Sequence, residues 1–354
     1  MSHGATGTRR ISPRACSRLN VNRDDGSAVA PRRCALLPRR RSVVAIDAGH
    51  IGRGADVFCL FFGREEFPPH INLPDSARGG CAGALKTHQE EKIMAKFITI
   101  GERISVTAPS IRRAFEERDP EPIITRCEQQ LKAGAKYIDV NIGPAESDGE
   151  ERMVWAVKLL QERFDNVPLA LDTSNMKAIE AGIQVYNREK GKPIVNSADA
   201  GDRFNRIELA ANNEAIVIAL CSANGIASDN DERMAHCQRM LEEGLMHGME
   251  AEDLWFDPLF LVVKGMQDKQ MEVLEAIKMF SDMGLNSTGG LSNNSNGMPK
   301  HIRPIFDSCM LAMCMMQGLT SAIVDPNDQR LMETIKTCDI IKNNNLYADS
   351  YLEI

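Results

Sequence analysis

A series of acidic and amide side chains closes short apolar runs at regular intervals along this chain. They are Glu102, Asp139 with Asn141, Asp172, Asn196, Asp257, Asn293 and Asp325. Asp and Asn at such places often cap the next helix or form an Asx turn. For any single one of them that local role is as good an account as a functional one. A ring of them facing one mouth is a different object. Carboxylates accept hydrogen bonds, and an amide both donates and accepts. Together they complement a flat heterocycle that alternates ring nitrogens with a carbonyl and an exocyclic amine. The ring lacks the Lys/Arg cluster that a sugar phosphate would need. Neither a His pair nor a Cys-x-x-Cys is present to hold zinc. His236, His247 and His301 are scattered over helical stretches and read as surface or satisfied residues.

The elements that position the ring follow from periodicity. Strand-like apolar runs occupy 97–102, 136–142, 168–172, 193–196, 215–221, 253–257, 285–291 and 320–325. Stretches with apolar residues three and four apart cover 120–134, 150–165, 176–187, 203–212, 229–247, 267–282, 301–317 and 327–343. Met153, Val157, Leu160 and Phe164 show the spacing. Asp148, Asp202 and Ser228 are the expected helix caps. Gly289 and Gly290 make the seventh strand the weakest. Eight strand–helix alternations within residues 94–354 predict one (β/α)8 TIM barrel. Its chemistry then belongs at the C-terminal strand ends. A doubly wound open sheet is the alternative, but no Gly-x-Gly-x-x-Gly follows the first strand.

Composition narrows the classes. Aromatics are 5% of the 354 residues, too few for a single-strand stacking platform, and the net charge of −7 argues against nucleic acid. No run of 18 apolar residues is present to span a membrane. The ten cysteines include no Cys-x-x-Cys and read as reduced thiols in the cytoplasm, with Cys309 and Cys314 in a helical core rather than on a metal.

Charge divides the chain. Residues 1–93 carry 13 Arg and 2 Lys against 9 Asp and Glu, while residues 94–354 carry 27 Lys and Arg against 40 Asp and Glu. A basic arm or targeting peptide would be Arg-rich and acid-poor. Asp24, Asp25, Asp47, Asp56, Glu65 and Glu66 break that pattern, so the segment reads as a non-globular, disordered extension. Gln89-Glu90-Glu91-Lys92-Ile93-Met94 back-translates to a purine tract ahead of a start codon. Residues 1–93 are thus expected to be upstream sequence read from a start placed too early, and 94–354 the folded domain.

Six motifs in register carry a family resemblance over roughly 97–350. They are Ile100-Gly101-Glu102-Arg103-Ile104, Tyr137-Ile138-Asp139-Val140-Asn141-Ile142-Gly143-Pro144-Ala145, Leu171-Asp172-Thr173-Ser174-Asn175, Val195-Asn196-Ser197, Phe256-Asp257-Pro258-Leu259 and Gly290-Leu291-Ser292-Asn293. In order and spacing this resembles the pterin-binding methyltransferases, above all those that pass methyl from methyltetrahydrofolate to a corrinoid/iron-sulfur protein. The resemblance implies a homodimeric barrel with the pterin in its mouth. It implies that Asp172, Asn196, Asp257 and Ser292 bind the pterin and that Asn293 approaches nitrogen 5. Arg303 stands near the place of a family Arg in the loop after the seventh strand, but the loop from Asn294 to Ile302 follows the family poorly, so the resemblance leaves its role open. The implied reaction moves the N5-methyl group to cobalt(I) of a separate corrinoid protein in anaerobic one-carbon metabolism, the Wood–Ljungdahl pathway. Asn293 and Asp172, with water, are the expected catalytic network.

The cobalamin is expected on the partner, because no Asp-x-His-x-x-Gly occurs, and no metal is expected on this chain. Other readings keep the fold. An O-demethylase or betaine-type corrinoid system would run methyl toward tetrahydrofolate. A dihydropteroate synthase would need a basic motif where Ser292-Asn293-Asn294-Ser295 stands. A homocysteine methyltransferase would need a zinc site. A non-catalytic folate-binding subunit would keep the ring without turnover.

Overall fold

The structure, a computed structural model, describes residues 96–145 and 147–353. The expectations for residues 1–93 lie outside the described residues. Eight parallel strands alternate with helices: β1 (Ile98–Ser105), β2 (Tyr137–Asn141), β3 (Leu169–Asp172), β4 (Ile194–Asp199), β5 (Ile216–Leu220), β6 (Leu254–Asp257), β7 (Asn286–Ser287) and β8 (Ser321–Val324). Helices α1 (Pro109–Glu117) and α2 (Pro120–Lys132) follow β1. One helix follows each later strand: α3 (Gly149–Arg163), α4 (Met176–Gln184), α5 (Arg206–Asn212), α6 (Asn230–Met246), α7 (Gln270–Asp282), α8 (Arg303–Gln317) and α9 (Gln329–Ile341).

The strands pair in the order β7-β6-β5-β4-β3-β2-β1-β8. The ring closes between β7 and β8 by short contacts: Thr320 N–H to Ser287 O at 3.3 Å, Ile323 N–H to Gly289 O at 2.9 Å, and Ser287 N–H to Thr320 Oγ1 at 2.9 Å. The chain is therefore a (β/α)8 barrel. Ile100, Ala170, Ile194, Ile216, Ile218 and Trp255 form one buried cluster inside it, with Tyr137 edge-on to Trp255 at 5.9 Å between centroids. The barrel interior is a packed floor, not a pore. A second apolar layer lies between strands and helices, through residues such as Phe115, Leu160, Phe256 and Phe280.

Several local expectations are corrected. Helix α1 was not anticipated, although Ile111, Ala114 and Phe115 bury one face of it. Strand β1 continues to Ser105 because a bulge between Gly101 and Ile104 carries the pairing past the polar residues. Strand β7 shrinks to two residues before its glycines. Asp148 precedes α3 but accepts from Arg152 Nε at 2.6 Å instead of capping a backbone N–H. Helix α5 starts at Arg206, not after Asp202. Asp199 instead takes the Gly201 and Arg203 N–H groups at 2.9 Å each. The cap of α6 is Asp229, which accepts from Glu232 N–H at 2.9 Å, while Ser228 bonds the Glu232 carboxylate. Cys314 is core, but Cys309 is exposed.

Candidate active site

Strand register brings the predicted residues together. Asn141 of β2, Asp172 of β3 and Asn196 of β4 are paired side by side at one level. The Asn141 amide donates to Asp172 Oδ2, and its own Oδ1 accepts Gly143 N–H at 3.0 Å. One step deeper on β2, Asp139 accepts from Asn196 Nδ2 at 3.0 Å, so the contact passes over β3. Alternate strands fill one layer of such a barrel, which is why β2 and β4 meet. Asp257, at the end of β6, stands farther round the ring. Its Oδ1 accepts Leu259 N–H at 2.8 Å. The local Asx turn and the ring position thus coexist in this residue.

Burial sets the charge state of these carboxyls, because a desolvated acid prefers its neutral form. Desolvation pushes Asp257 up to about 7, against the backbone bond from Leu259 and the guanidinium of Arg233. It pushes Asp172 up to about 6, opposed by the Asn141 amide and by Arg203 and Arg206. Asp139 is raised well above the ordinary carboxylate range, first by burial and then by the charge of Asp172. The mouth therefore holds protons near neutrality.

Two buried arginines brace this ring. Arg206 is 2% exposed and donates to three backbone carbonyls, Thr173 O at 2.9 Å, Ser197 O at 3.1 Å and Ser174 O at 2.5 Å. It fixes the ends of β3 and β4 against each other. Arg233, 1% exposed, donates to Pro258 O at 2.9 Å and to Asn230, which ties the end of β6 to α6. The signal for both was available. Arg233 falls on the same helical face as Cys237, Met240 and Leu241, a core face where an arginine needs a buried partner.

The turn after β7 carries Ser292 and Asn293. Gly289 lies so close to Asp257 that a Cβ there would sit 3.0 Å from its Oδ1 and 2.3 Å from the Phe260 ring. Only glycine fits, and it carries the turn in beside the ring. Neighbours then pin the turn. Asn294, fully buried, donates to Leu261 O at 2.8 Å and to Gln270 Oε1 at 2.7 Å. Ser295 donates to Asp307 Oδ2 at 2.9 Å, and Arg303 donates to Ser295 Oγ at 2.9 Å and to Ser292 O at 3.2 Å. Asn293 itself is exposed, and its side chain makes no hydrogen bond to a described residue. Its amide lies over Gly290. Arg303, unassigned from sequence, proves to be a brace of this turn.

Glu102 is the residue whose role the sequence left open. The β1 bulge leaves Arg103 N–H without a strand partner, and the fully buried Gln130 supplies one at 2.8 Å. Gln130 Oε1 comes so near that a Cβ on Gly101 would stand 2.5 Å from it, so Gly101 makes the bulge possible. Bulges re-aim side chains beside active sites. Here Glu102 accepts from Ser292 Oγ at 2.8 Å, and Arg103 reaches Asp325 at 3.3 Å. Desolvation pushes Glu102 up to about 7, against the Ser292 hydroxyl. A cavity of about 250 Å³ opens here, lined by Glu102, Arg103, Ser292, Lys300, Arg303 and Asp307 among others. Among the described residues, no group of three or more His, Cys, Asp or Glu is arranged to hold a metal ion. No described helix is long and apolar enough to cross a membrane.

Comparison with known proteins agrees with this fold. The model of the family described as pterin binding enzyme matches residues 101–325. The methylcorrinoid:tetrahydrofolate methyltransferase of Eubacterium limosum is 26% identical over 261 residues, covering 72% of this chain and 94% of that protein. Among solved structures, dihydropteroate synthase from Xanthomonas albilineans with 7,8-dihydropteroate superposes with a TM-score of 0.58 at 15% identity, over 70% of this chain and 95% of that one. The Yersinia pestis enzyme with a pterine-sulfa conjugate gives 0.55 at 18% identity, over 71% and 95%. At those identities the likeness is one of fold.

Proposed function

The chain belongs to the pterin binding enzyme family, and on that premise we propose that it moves the N5-methyl group of methyltetrahydrofolate to the cobalt(I) of a corrinoid carried by a separate protein. One observation carries the reading: the exposed, unpinned amide of Asn293 in the β7 turn stands beside a ring of amides and of carboxyls that burial holds above their ordinary range. The name of the Eubacterium limosum relative supports the methyl donor and acceptor classes.

In the reaction cobalt(I) attacks the methyl carbon in line. Its electron pair forms the Co–C bond, and the C–N5 pair returns to nitrogen 5 of the pterin. That nitrogen leaves well only if it gains a proton or a hydrogen bond as the bond breaks. Asn293 donates to it, and the contact strengthens in the transition state, which is where stabilisation lowers the barrier. Asp172, with water, belongs to the path that delivers the proton. Asn196 and Asp257 hold the pterin edge throughout, with Ser292 at the turn. The corrinoid is a substrate on its own protein. The reading places the enzyme in the cytoplasm, in anaerobic one-carbon metabolism. A betaine-type or O-demethylase system would use the same residues in the opposite direction.

A homodimer belongs to the same reading. Ile302, Ile305, Cys309, Met313 and Met316 are exposed at helical spacing along α8 and just before it, with no charged residue among them. A two-fold pairing would bury the stripe against itself.

The test is direct. The full chain, mixed with methyltetrahydrofolate and chemically reduced cobalamin, should convert cobalt(I) to methylcobalamin, read by its absorbance. Absence of that conversion, with dihydropteroate formed instead from a pterin pyrophosphate and p-aminobenzoate, would overturn the reading.

A further inference from the structure

We infer that Glu102 is the positioning residue of the Asn293 turn: its carboxylate holds Ser292, and its ionisation decides how firmly the neighbouring amide is presented. Three geometric facts carry this. The β1 bulge, made possible by Gly101 and completed by Gln130, turns Glu102 toward the loop after β7. Its Oε2 accepts the Ser292 hydroxyl at 2.8 Å, across 190 residues of sequence. The anchors at Asn294 and Ser295 lie on the far side of Asn293; on its near side Ser292 is held through its hydroxyl by Glu102 and through its carbonyl by Arg303, and of these two tethers the first is the one that can titrate near neutrality.

The groups facing Glu102 come from every neighbouring element. Asp325 at the end of β8 opposes its ionisation, while Arg103 of β1 and Arg303 of α8 favour it; Asp139 of β2, raised well above the ordinary range, is pushed up in turn by the Glu102 charge. Burial outweighs them, and the group titrates at about 7. A hydroxyl bond to an ionised carboxylate is about twice as strong as one to a neutral acid. The tether therefore tightens as pH rises through about 7 and slackens below it. Asp307, which holds Ser295 on the same turn, is also raised by burial and is the second carboxyl whose protonation loosens the loop.

The consequence for turnover rests on the methyl-transfer reading; the coupling of the turn to Glu102 does not. Residue-level hydrogen exchange on the full chain without substrate tests the coupling. The reporters are the amides of Asn293, Asn294 and Asn296, which close the turn onto Gly290, Leu291 and Asn293. After correction for intrinsic exchange, their protection should rise about fivefold between about pH 6 and about pH 8. Glu102→Gln, close in shape, should abolish most of the rise. Ser292→Ala should lower protection at both pH values and leave only the smaller Asp307 component of the rise. Asp307→Asn should leave the Glu102 component in place. A flat wild-type profile, or a full rise surviving in Glu102→Gln, overturns the inference. At pH 8, Glu102→Gln should also lower kcat with KM nearly unchanged. If the wild type transfers no methyl group while protection still follows Glu102, the functional reading fails and the positioning role stands.

Discussion

The amide of Asn196 on β4 reaches over β3 to donate to the carboxyl of Asp139 on β2, at 3.0 Å. This bond orients the amide. With one Nδ2 proton committed to Asp139, the plane of the amide is set, and Oδ1 and the second Nδ2 proton are what it can offer to the pterin of the proposed reading. On the proposed reading Asp139 supports the site through Asn196 without touching the pterin.

Replacing that amide with an acid tests the arrangement. Asn196→Asp sets a second carboxyl against Asp139, beside Asp172. Like charges that close cannot all ionise. Titration calorimetry with methyltetrahydrofolate should show affinity reduced by more than about tenfold at pH 8, since a lost buried bond and an opposed charge each exceed about 1 kcal/mol. Part of the loss should return at pH 6. Unchanged affinity at pH 8 would remove Asn196 from the binding edge.

Adjacent asparagines of the β7 turn should separate rate from stability. Asn293→Ala removes an exposed amide, so melting should be nearly unchanged while kcat falls by roughly 10²–10³, the effect of losing one transition-state donor. Asn294→Ala removes a buried amide bonded to Leu261 O and Gln270. It should cost about 1–3 kcal/mol of stability. A fully active but destabilised Asn293→Ala would move the nitrogen-5 contact to another residue.

Acidic stability should reveal the ring. Asp257 keeps its proton to about 7 in the folded protein, against an ordinary value of 3.8. Between those values the folded state binds more protons than the unfolded chain, so stability falls as pH rises and levels off above about 7. Glu102 and Asp172 act in the same direction. Asp257→Asn should therefore raise the melting temperature more at pH 8 than at pH 5, with an upper limit of about 4 kcal/mol. Calorimetric scans at the two pH values decide it; an equal shift at both would mean that the acid is not held neutral. The same substitution should weaken pterin binding.

Association should fail when the α8 stripe is charged. Met313→Glu places a carboxylate in the middle of an apolar face that a second copy would cover. Sedimentation velocity should show dimer for the wild type and monomer for the variant, with the melting transition retained. A wild type that sediments as monomer would leave the stripe without this role.

Most of the barrel was readable because strands buried on both faces appear as short apolar runs, and all eight were located to within a few residues of their observed cores. The misreadings share a cause. Helix α1 was lost because the alternating pattern left no place for two helices after one strand. Strand β1 was cut short at Glu102 because a bulge lets polar residues continue a strand that periodicity ends. Asp202 and Ser228 had the right chemistry for caps, but Asp199 and Asp229 held the geometry. At the mouth, Asp172 and Asn196 could be named because each ends its own run. The Ser292–Glu102 and Asn196–Asp139 bonds could not, since no local spacing links residues so far apart. Arg206 and Arg233 were passed over because a lone arginine in a helix is usually solvated.

Strand β7 is two residues long and fastened to β8 by a handful of bonds around Ser287 and Gly289. The molecule is thus less a ring of equal staves than a wound sheet with a buttoned edge. The loop bearing Asn293 hangs from that edge, after the shortest strand, between the end of β6 and the Glu102 carboxylate of β1. Sequence drift there disturbs few strand bonds, so the turn that the proposed reading sets against the reacting atom can vary with little loss of sheet pairing. New chemistry on this scaffold can be tried at the button without unwinding the cloth.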